Sequence, residues 1–486
     1  MLRCGWQDTM WNRIEKIWIS FKGQSSRVAA YKWFVVIVVG LMVRTDKLGI
    51  TSVIRALSIA PKKYETMLHF FRADSWSLSN LRACWCEIVG QNFPLFQHKD
   101  RAILVGDGTK QSKEGRYMPG VKKLAQESET QSKPEYIHGH MWGGIGVLVG
   151  KAKGFFCTPL SLKIHDGLQT MEKWSQEPPV SHVVQTMRDG SFAAQSLKRH
   201  ALFLLDRYFL SVPALSELNS LNAANPYKIR IITKVKRSTI AYEPAPERIP
   251  GQRGRTRKKG EKVKLMELFE EQKEQFQTRE LDLYGKLHTI RYYCVDLLWG
   301  QGLYQKLRFV LVEYDNVQSI LACTDLTIAP LDMIQLYSYR FRIENTFREL
   351  KQELGGFSYH FWTKALPKLN HFRKKSDPDP LFNVTNPNDR KRIFQTLRAT
   401  EMYAFCACVA MAILQAISID FSNGVFSLPF RYQRTPAKSN PSEANMMFCL
   451  RQRIFSLLVF HAKNEIPRLI SSVQSACGDS ISDFAA

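Results

Sequence analysis

Two periodicities alternate along this chain and divide it. From its start to about residue 95, apolar residues recur at helical spacing: Trp11, Ile14, Ile17 and Trp18, then Ile54, Leu57 and Ile59, then Leu68 and Phe71. The segments 46–51 and 60–63 carry the Gly and Pro of turns between short helices. From Arg101 the pattern becomes one of short continuous apolar runs, the mark of buried strands. Arg101–Asp107 reads as a strand that ends in an acid. His140–Val149 and Phe155–Lys163, joined by Gly-Lys-Ala-Lys-Gly, read as a hairpin, and Ser181–Arg199 as a helix. Ala201–Asp206 is a second strand that ends in an acid, and Tyr227–Val235 is a further strand. The polar stretch 108–137 is expected to be a loop.

Residues 237 to about 305 break this rhythm. Arg248–Lys264 carries eight Lys/Arg and one Glu, spaced by Gly and Pro, and such a stretch buries no core. Glu267–Glu280 is acidic and predicts a helix; Tyr292–Leu298, Leu307–Val312 and Ser319–Cys323 predict strands. Pro330–Leu354 predicts one long helix. A linker-like stretch at 374–392 is followed by helices to about 420 and from about 442 to 475. The expected organisation is a helical N-terminal region at 1–97 and an α/β core at 98–370, interrupted near 237–305. A linker and C-terminal helical region at 371–486 completes it.

Two apolar runs need a membrane check. Trp33–Val43 has 11 residues, whereas a span takes about 20. Met402–Ile419 is nearer that length but is diluted by Ala, Cys and Gln415. Both read as buried helices, and no membrane partner and no secretory signal is expected. The ten cysteines are scattered without a C-x-x-C pair, which fits small core residues in a reducing cytoplasm better than a zinc site. Charge adds a partner. Lys and Arg number 68 against 44 Asp and Glu, a net +24, which points first to nucleic acid and second to an anionic membrane surface.

The candidate chemistry sits at strand ends. A carboxylate at the rim of a buried strand is costly unless it is paired or binds a metal. Asp107 and Asp206 on neighbouring strands would make a negative pocket suited to Mg²⁺. Taken singly, such residues more often open turns or cap helices. Tyr337, Arg340, Glu344 and Lys351 supply a third element. Their offsets of 3, 7 and 14 residues place them within about 60° of one another on a helix. An acid, a phenol and two cations form a poor core stripe but suit a phosphodiester beside a metal. Glu344 would hold the cation, and Arg340 and Lys351 the phosphate oxygens. A solvated charged helix is the plain alternative. In the basic loop, Arg253, Arg255, Arg257, Lys258 and Lys259 suit contact with a DNA backbone without reading sequence. Asp166 lacks the apolar run that precedes Asp206. His138 and His140 lack a third metal ligand nearby.

The spacing Tyr-x2-Arg-x3-Glu-x6-Lys at Tyr337, Arg340, Glu344 and Lys351 resembles the signature around the catalytic Glu of insertion-sequence transposases of the IS4 type. Val105-Gly-Asp107-Gly-Thr resembles the first-Asp strand of that family, and Leu205-Asp206-Arg-Tyr208-Phe209 its second-Asp segment. The resemblance covers about residues 100–365. It implies an RNase H-like catalytic core, α/β in class, with a largely β insertion between the second Asp and the Glu. It implies that Asp107, Asp206 and Glu344 bind two Mg²⁺ ions, for which Mn²⁺ substitutes. The activity implied is metal-dependent hydrolysis and strand transfer at the ends of an insertion sequence.

The partners implied are double-stranded DNA, as terminal inverted repeats and target, with the N-terminal helices where end-binding domains lie. Paired cutting favours a homodimer on DNA, and the expected place is the nucleoid of a prokaryotic cytoplasm. Some relatives form a DNA hairpin whose flipped base is held by an insertion-domain Trp. Trp299 is the candidate by location, although a core Trp is the plainer reading. Another RNase H-like nuclease, a resolvase or integrase, has no reason to carry the four-residue stripe. An inactive, architectural DNA-binding relative has no reason to keep three acids and two cations.

Overall fold

The computed structural model describes residues 5–126, 134–151, 154–176, 178–247, 256–372, 377–423 and 440–474. Its centre is one sheet. Five strands form its heart: β2 (Arg101–Ser112), β4 (Tyr136–Lys151), β5 (Gly154–Ile164), β6 (Ala201–Leu205) and β7 (Ile229–Lys234). They lie in the order β5-β4-β2-β6-β7, with β5, β4 and β2 antiparallel and β2, β6 and β7 parallel. This mixed order is consistent with an RNase H-like core. Beyond β7 the sheet continues antiparallel through β13 (Val317–Cys323), β12 (Gln305–Tyr314) and β11 (Lys286–Trp299). Short strands β1 (Gln97–His98), β3 (Lys122–Ala125), β8 (Ile240–Tyr242), β9 (Lys262–Lys264) and β10 (Gln277–Leu283) complete it.

Every residue of β6 is buried, as expected of a parallel strand covered on both faces. Helix α7 (His182–Leu197) covers one face of the β2–β6 region. The other face is covered by α11 (Arg342–Gln352) and by α12 (Pro387–Asp420), which lies along β5. The helices α1 (Gly5–Ile19), α2 (Val28–Val43), α3 (Thr51–Ala56), α4 (Tyr64–Arg72) and α5 (Leu78–Asn92) precede the sheet. Helices α6 (Gln169–Trp174), α8 (Val212–Ala224), α9 (Leu268–Glu271) and α10 (Pro330–Ser338) occur within it, and α13 (Glu443–Phe460) and α14 (Glu465–Ser471) follow α12.

Both apolar runs are core helices. Residues 33–43 of α2 are all buried, and Phe34 stacks on Phe405 of α12 at 6.2 Å. The apolar window of α12 is long enough to cross a membrane, but 94% of it is buried inside the protein. A helix apolar on all sides is satisfied by burial on all sides. Helices α2, α12, α13 and α14 pack on one another, so the helices before the sheet and those from Ala399 onward share one continuous core with it. Buried cations tie these layers together. Arg44 ends α2 and donates to the carbonyls of Gly49, Leu354 and Gly355 and to the Tyr403 hydroxyl. Arg82 of α5 pairs with Glu401 of α12 at 3.0 Å and also donates to the Leu162 carbonyl of β5.

Three expectations need correction. Asp107 does not end its strand: β2 runs five residues further because β4 is long enough to pair with it, Gly108 opposite Gly143 and Ser112 opposite Gly139. The acidic stretch 267–280 is α-helical only at Leu268–Glu271, followed by a 3₁₀ turn at Lys273–Gln275. From Gln277 it is β10, because pairing with β11 outweighs local helix preference. The helix expected over Pro330–Leu354 is two helices, α10 and α11. Between them Arg340, Arg342, Ile343 and Glu344 bond three residues back rather than four. Three rings crowd this turn and anchor it in different directions: Tyr339 against Phe155 at 4.7 Å, Phe341 against Tyr284 at 5.5 Å, and Tyr337 facing Lys234.

Candidate active site

The sheet fixes where the two aspartates emerge. Side chains alternate across a strand. A Cβ at Gly144, the partner of Asp107, would meet Phe347 of α11, so Asp107 faces α11. Asp206 leaves the end of the neighbouring strand β6 and opens the 3₁₀ turn Arg207–Phe209, where the Thr233 hydroxyl donates to its carbonyl at 2.9 Å. Glu344 lies in the first turn of α11. The tight turn before it swings Arg340 inward. Its Nη1 donates to Asp107 Oδ2 at 3.0 Å, and its Nη2 pairs with Glu344. Lys351, two turns along α11, donates to Thr109 Oγ1 at 2.7 Å and to the Lys110 carbonyl at 2.9 Å. Arg340 and Lys351 therefore reach the strand of the first acid despite the break in their helix, while Glu344 meets Arg340 and Tyr337 faces Lys234 of β7.

Burial pushes the Asp107 carboxyl up to about 6, against the pull of Arg340 and of the Gly108 N–H, and the charges of Asp206 and Glu344 add to the rise. The three carboxylates thus share one field. Burial also raises the Tyr337 phenol, which feels Arg340 and Asp206. A cleft of about 340 Å³ opens beside them, lined by Asp206, Arg207, Lys234, Tyr284, Tyr337 and Arg340. Among the described residues no three His, Cys, Asp or Glu side chains are gathered as a ready metal site. Instead, a guanidinium stands between two of the acids. The donor set suits a hard divalent cation, since all three are carboxylates, and Arg340, Arg207 and Lys234 now balance their charge.

Other predicted residues lie elsewhere. Strand register puts Leu204, Ile232, Cys323, Arg308 and Asp296 on one line across the sheet. Asp206 lies on one side of that line, and Trp299, at the far end of β11, on the other. Trp299 is not brought to the cleft. Lys259 lies in the same far region, with its Nζ 3.7 Å from the centre of the Tyr242 ring, and Arg257 and Lys258 precede it. Arg253 and Arg255 lie outside the described residues. Asp166 pairs with Lys122 at 2.7 Å. His140 is buried between the Tyr359 hydroxyl and the Pro119 carbonyl, while His138 stacks on His371.

Sequence reasoning missed Lys234 and Tyr284 in the cleft. Tyr284 (φ +58°) and Gly285 (φ +80°) form the two-residue turn that joins β10 to β11. The Tyr-Gly pair was the signal for that turn. It was hidden because the strand before it read as a helix.

A mixed sheet that carries two aspartates, with a helix-borne glutamate joined to one of them through Arg340, is consistent with an RNase H-like nuclease of the DDE type. Residues 20–290 match the family described as DDE superfamily endonuclease, and the chain belongs to that family. The matched segment contains Asp107 and Asp206 and ends before Glu344. No curated protein and no solved structure matches the chain. Membership makes the protein a nuclease with DNA as its substrate.

Proposed function

We propose that this endonuclease is an insertion-sequence transposase of the IS4 type, with Asp107, Asp206 and Glu344 as its catalytic carboxylates. The observation that carries this reading is the bridge from Arg340 to both Asp107 and Glu344, with Lys351 anchored on the same strand two residues beyond Asp107. A fold-only arrangement has no need to direct both cations of one segment at the strand of a half-buried acid.

Two Mg²⁺ ions held by these carboxylates, or Mn²⁺ in their place, would supply Lewis acidity and a nucleophile ionised at neutral pH. The chain's own residues do the rest. Arg340, released from the acids, holds a non-bridging oxygen of the scissile phosphate by a charge-assisted hydrogen bond. Lys351 adds positive charge from the far end of α11. Tyr337 and Lys234 line the floor of the cleft, and Tyr284 its rim. Arg257, Lys258 and Lys259, with the rest of the 248–264 loop, bind DNA backbone away from the scissile bond. The segment 1–97 contributes end recognition, 237–305 is the insertion, and the helices after residue 400 are the candidates for the contact of a homodimer assembled on paired ends, with buttressing of the core as their alternative role.

The test is cleavage of a supercoiled plasmid carrying the DNA that flanks this gene, with Mg²⁺ or Mn²⁺, by wild type and by Glu344→Gln. Cutting at the element ends by wild type, and binding without cutting by the variant, supports the proposal. Equal binding with no cutting by either protein supports an inactive, architectural relative.

A further inference from the structure

On the face of the sheet opposite Asp107, a chain of polar side chains runs from the core to the residue after Asp107 and to the turn that Asp206 opens. Asp189 of α7 is fully buried, and Lys163 Nζ donates to its Oδ1 at 2.5 Å. His165 Nε2 lies 2.8 Å from its other oxygen. His165 Nδ1 lies in turn 2.8 Å from His182 Nδ1. His182, the first residue of α7, packs its ring against Phe209 at 5.4 Å and Tyr208 at 6.3 Å, within the turn that Asp206 opens. Its Nε2 lies over Gly108, the residue after Asp107.

Two glycines make room for this pair. Gly108 and Gly143 face each other across β2 and β4. A Cβ at Gly143 would stand 1.9 Å from His165 Cε1, and one at Gly108 2.9 Å from His182 Nε2. Ordinary Cβ atoms do not approach so closely, so the window is a condition for the histidines.

With His165 neutral, these contacts set a single order of protons. Burial opposes the charge on Asp189, but His165 and Lys163 hold its carboxyl well below the usual range, so it is ionised and accepts from His165 Nε2–H. His165 Nδ1 is then a lone pair and accepts from His182 Nδ1–H. His182 Nε2 is left as a lone pair at the catalytic end. Burial lowers the His182 imidazole to about 4, which keeps it neutral.

We propose that His182 is a positioning residue, a strut braced by His165 and Asp189 that sets the spacing of Asp107 and Asp206 and so the affinity of their site for a divalent cation. The inference rests on the carboxylate reading above. It assigns a role to residues that touch neither acid side chain, much as outer-shell partners of metal ligands commonly tune affinity by about 10–100-fold.

The experiment is Mn²⁺ binding to the full chain, read from the free Mn²⁺ signal in electron paramagnetic resonance, with thermal melting alongside. His182→Leu is expected to weaken Mn²⁺ binding by about tenfold or more. His182→Asn, whose amide N–H replaces Nδ1–H, is expected to restore most of it. Nitrogen chemical shifts of the imidazoles in wild type are expected to show His165 protonated on Nε2 and His182 on Nδ1. Wild-type Mn²⁺ affinity in the Leu variant, or a His182 protonated on Nε2, overturns the strut alone. Absence of Mn²⁺ binding by wild type overturns the carboxylate reading and the strut with it.

Discussion

Arg340 Nη1 lies 3.0 Å from Asp107 Oδ2, although the two residues are 233 positions apart in the chain. The contact joins the segment that carries Glu344 to the strand that carries the first acid. In the proposed mechanism Arg340 serves the acids until a phosphate takes its place. Replacing Arg340 by Ala is therefore expected to lower DNA cleavage by on the order of 100-fold, as when a transition-state donor is lost, with DNA binding retained. Single-turnover cleavage beside a gel-shift titration would measure this, and undiminished cleavage would refute the role.

Asp107 predicts a pH dependence. Its carboxyl titrates near 6 in the folded chain against 3.8 unfolded, with burial the main cause. The folded state therefore binds the proton more tightly. Asp107 favours folding below about pH 4, and this contribution is lost as pH rises through about 6. The loss is on the order of 2–3 kcal/mol. Urea denaturation of the metal-free chain between pH 4 and 7 should show this loss, and Asp107→Asn should flatten it. Cation binding, which needs the carboxylate, should strengthen over the same range.

The Arg82–Glu401 pair is nearly dry, with side-chain exposures of 5% and 15%, and Glu401 also accepts from the Ile164 N–H. Removing one partner of a buried pair strands the other. Arg82→Ala is expected to cost about 3–5 kcal/mol, read as a fall in denaturation midpoint. Exposed pairs such as Lys264–Glu267 should contribute little when cut.

Tyr284 is 56% exposed at the rim of the cleft, whereas Trp299 lies across the register line from the acids. Stacking of a base on an aromatic ring is worth about 1–3 kcal/mol. Tyr284→Ala is expected to weaken binding of a DNA end by on the order of tenfold, and Trp299→Ala to leave it nearly unchanged. Fluorescence anisotropy with end DNA checks both; the reverse ranking would return the stacking role to Trp299.

Much of this was legible in the chain itself. The runs at 102–105 and 201–205 are strands because continuous apolar residues need cover on both faces, and Asp206 had to lie at the rim of the second. The evenly apolar α2 and the 402–419 part of α12 had to be buried. The Tyr337–Lys351 spacing marked the segment that faces the aspartates. These are local properties, set by side-chain period and by the cost of exposing apolar surface or burying charge.

Tertiary structure decided the remainder. The extension of β2 past Asp107 depended on the length of β4. The turn at 339–341 depended on where three rings found partners, and the conversion of 277–283 to a strand on β11. The side of the sheet that received Trp299 or Tyr284 followed from the summed register of five strands, which no local pattern encodes. The glycine window at Gly108 and Gly143 became meaningful only once pairing set them opposite each other beneath two histidines from other segments. Sequence fixes what a segment prefers by itself, but strand pairing and ring packing are contacts between distant segments, and their geometry exists only in the folded chain.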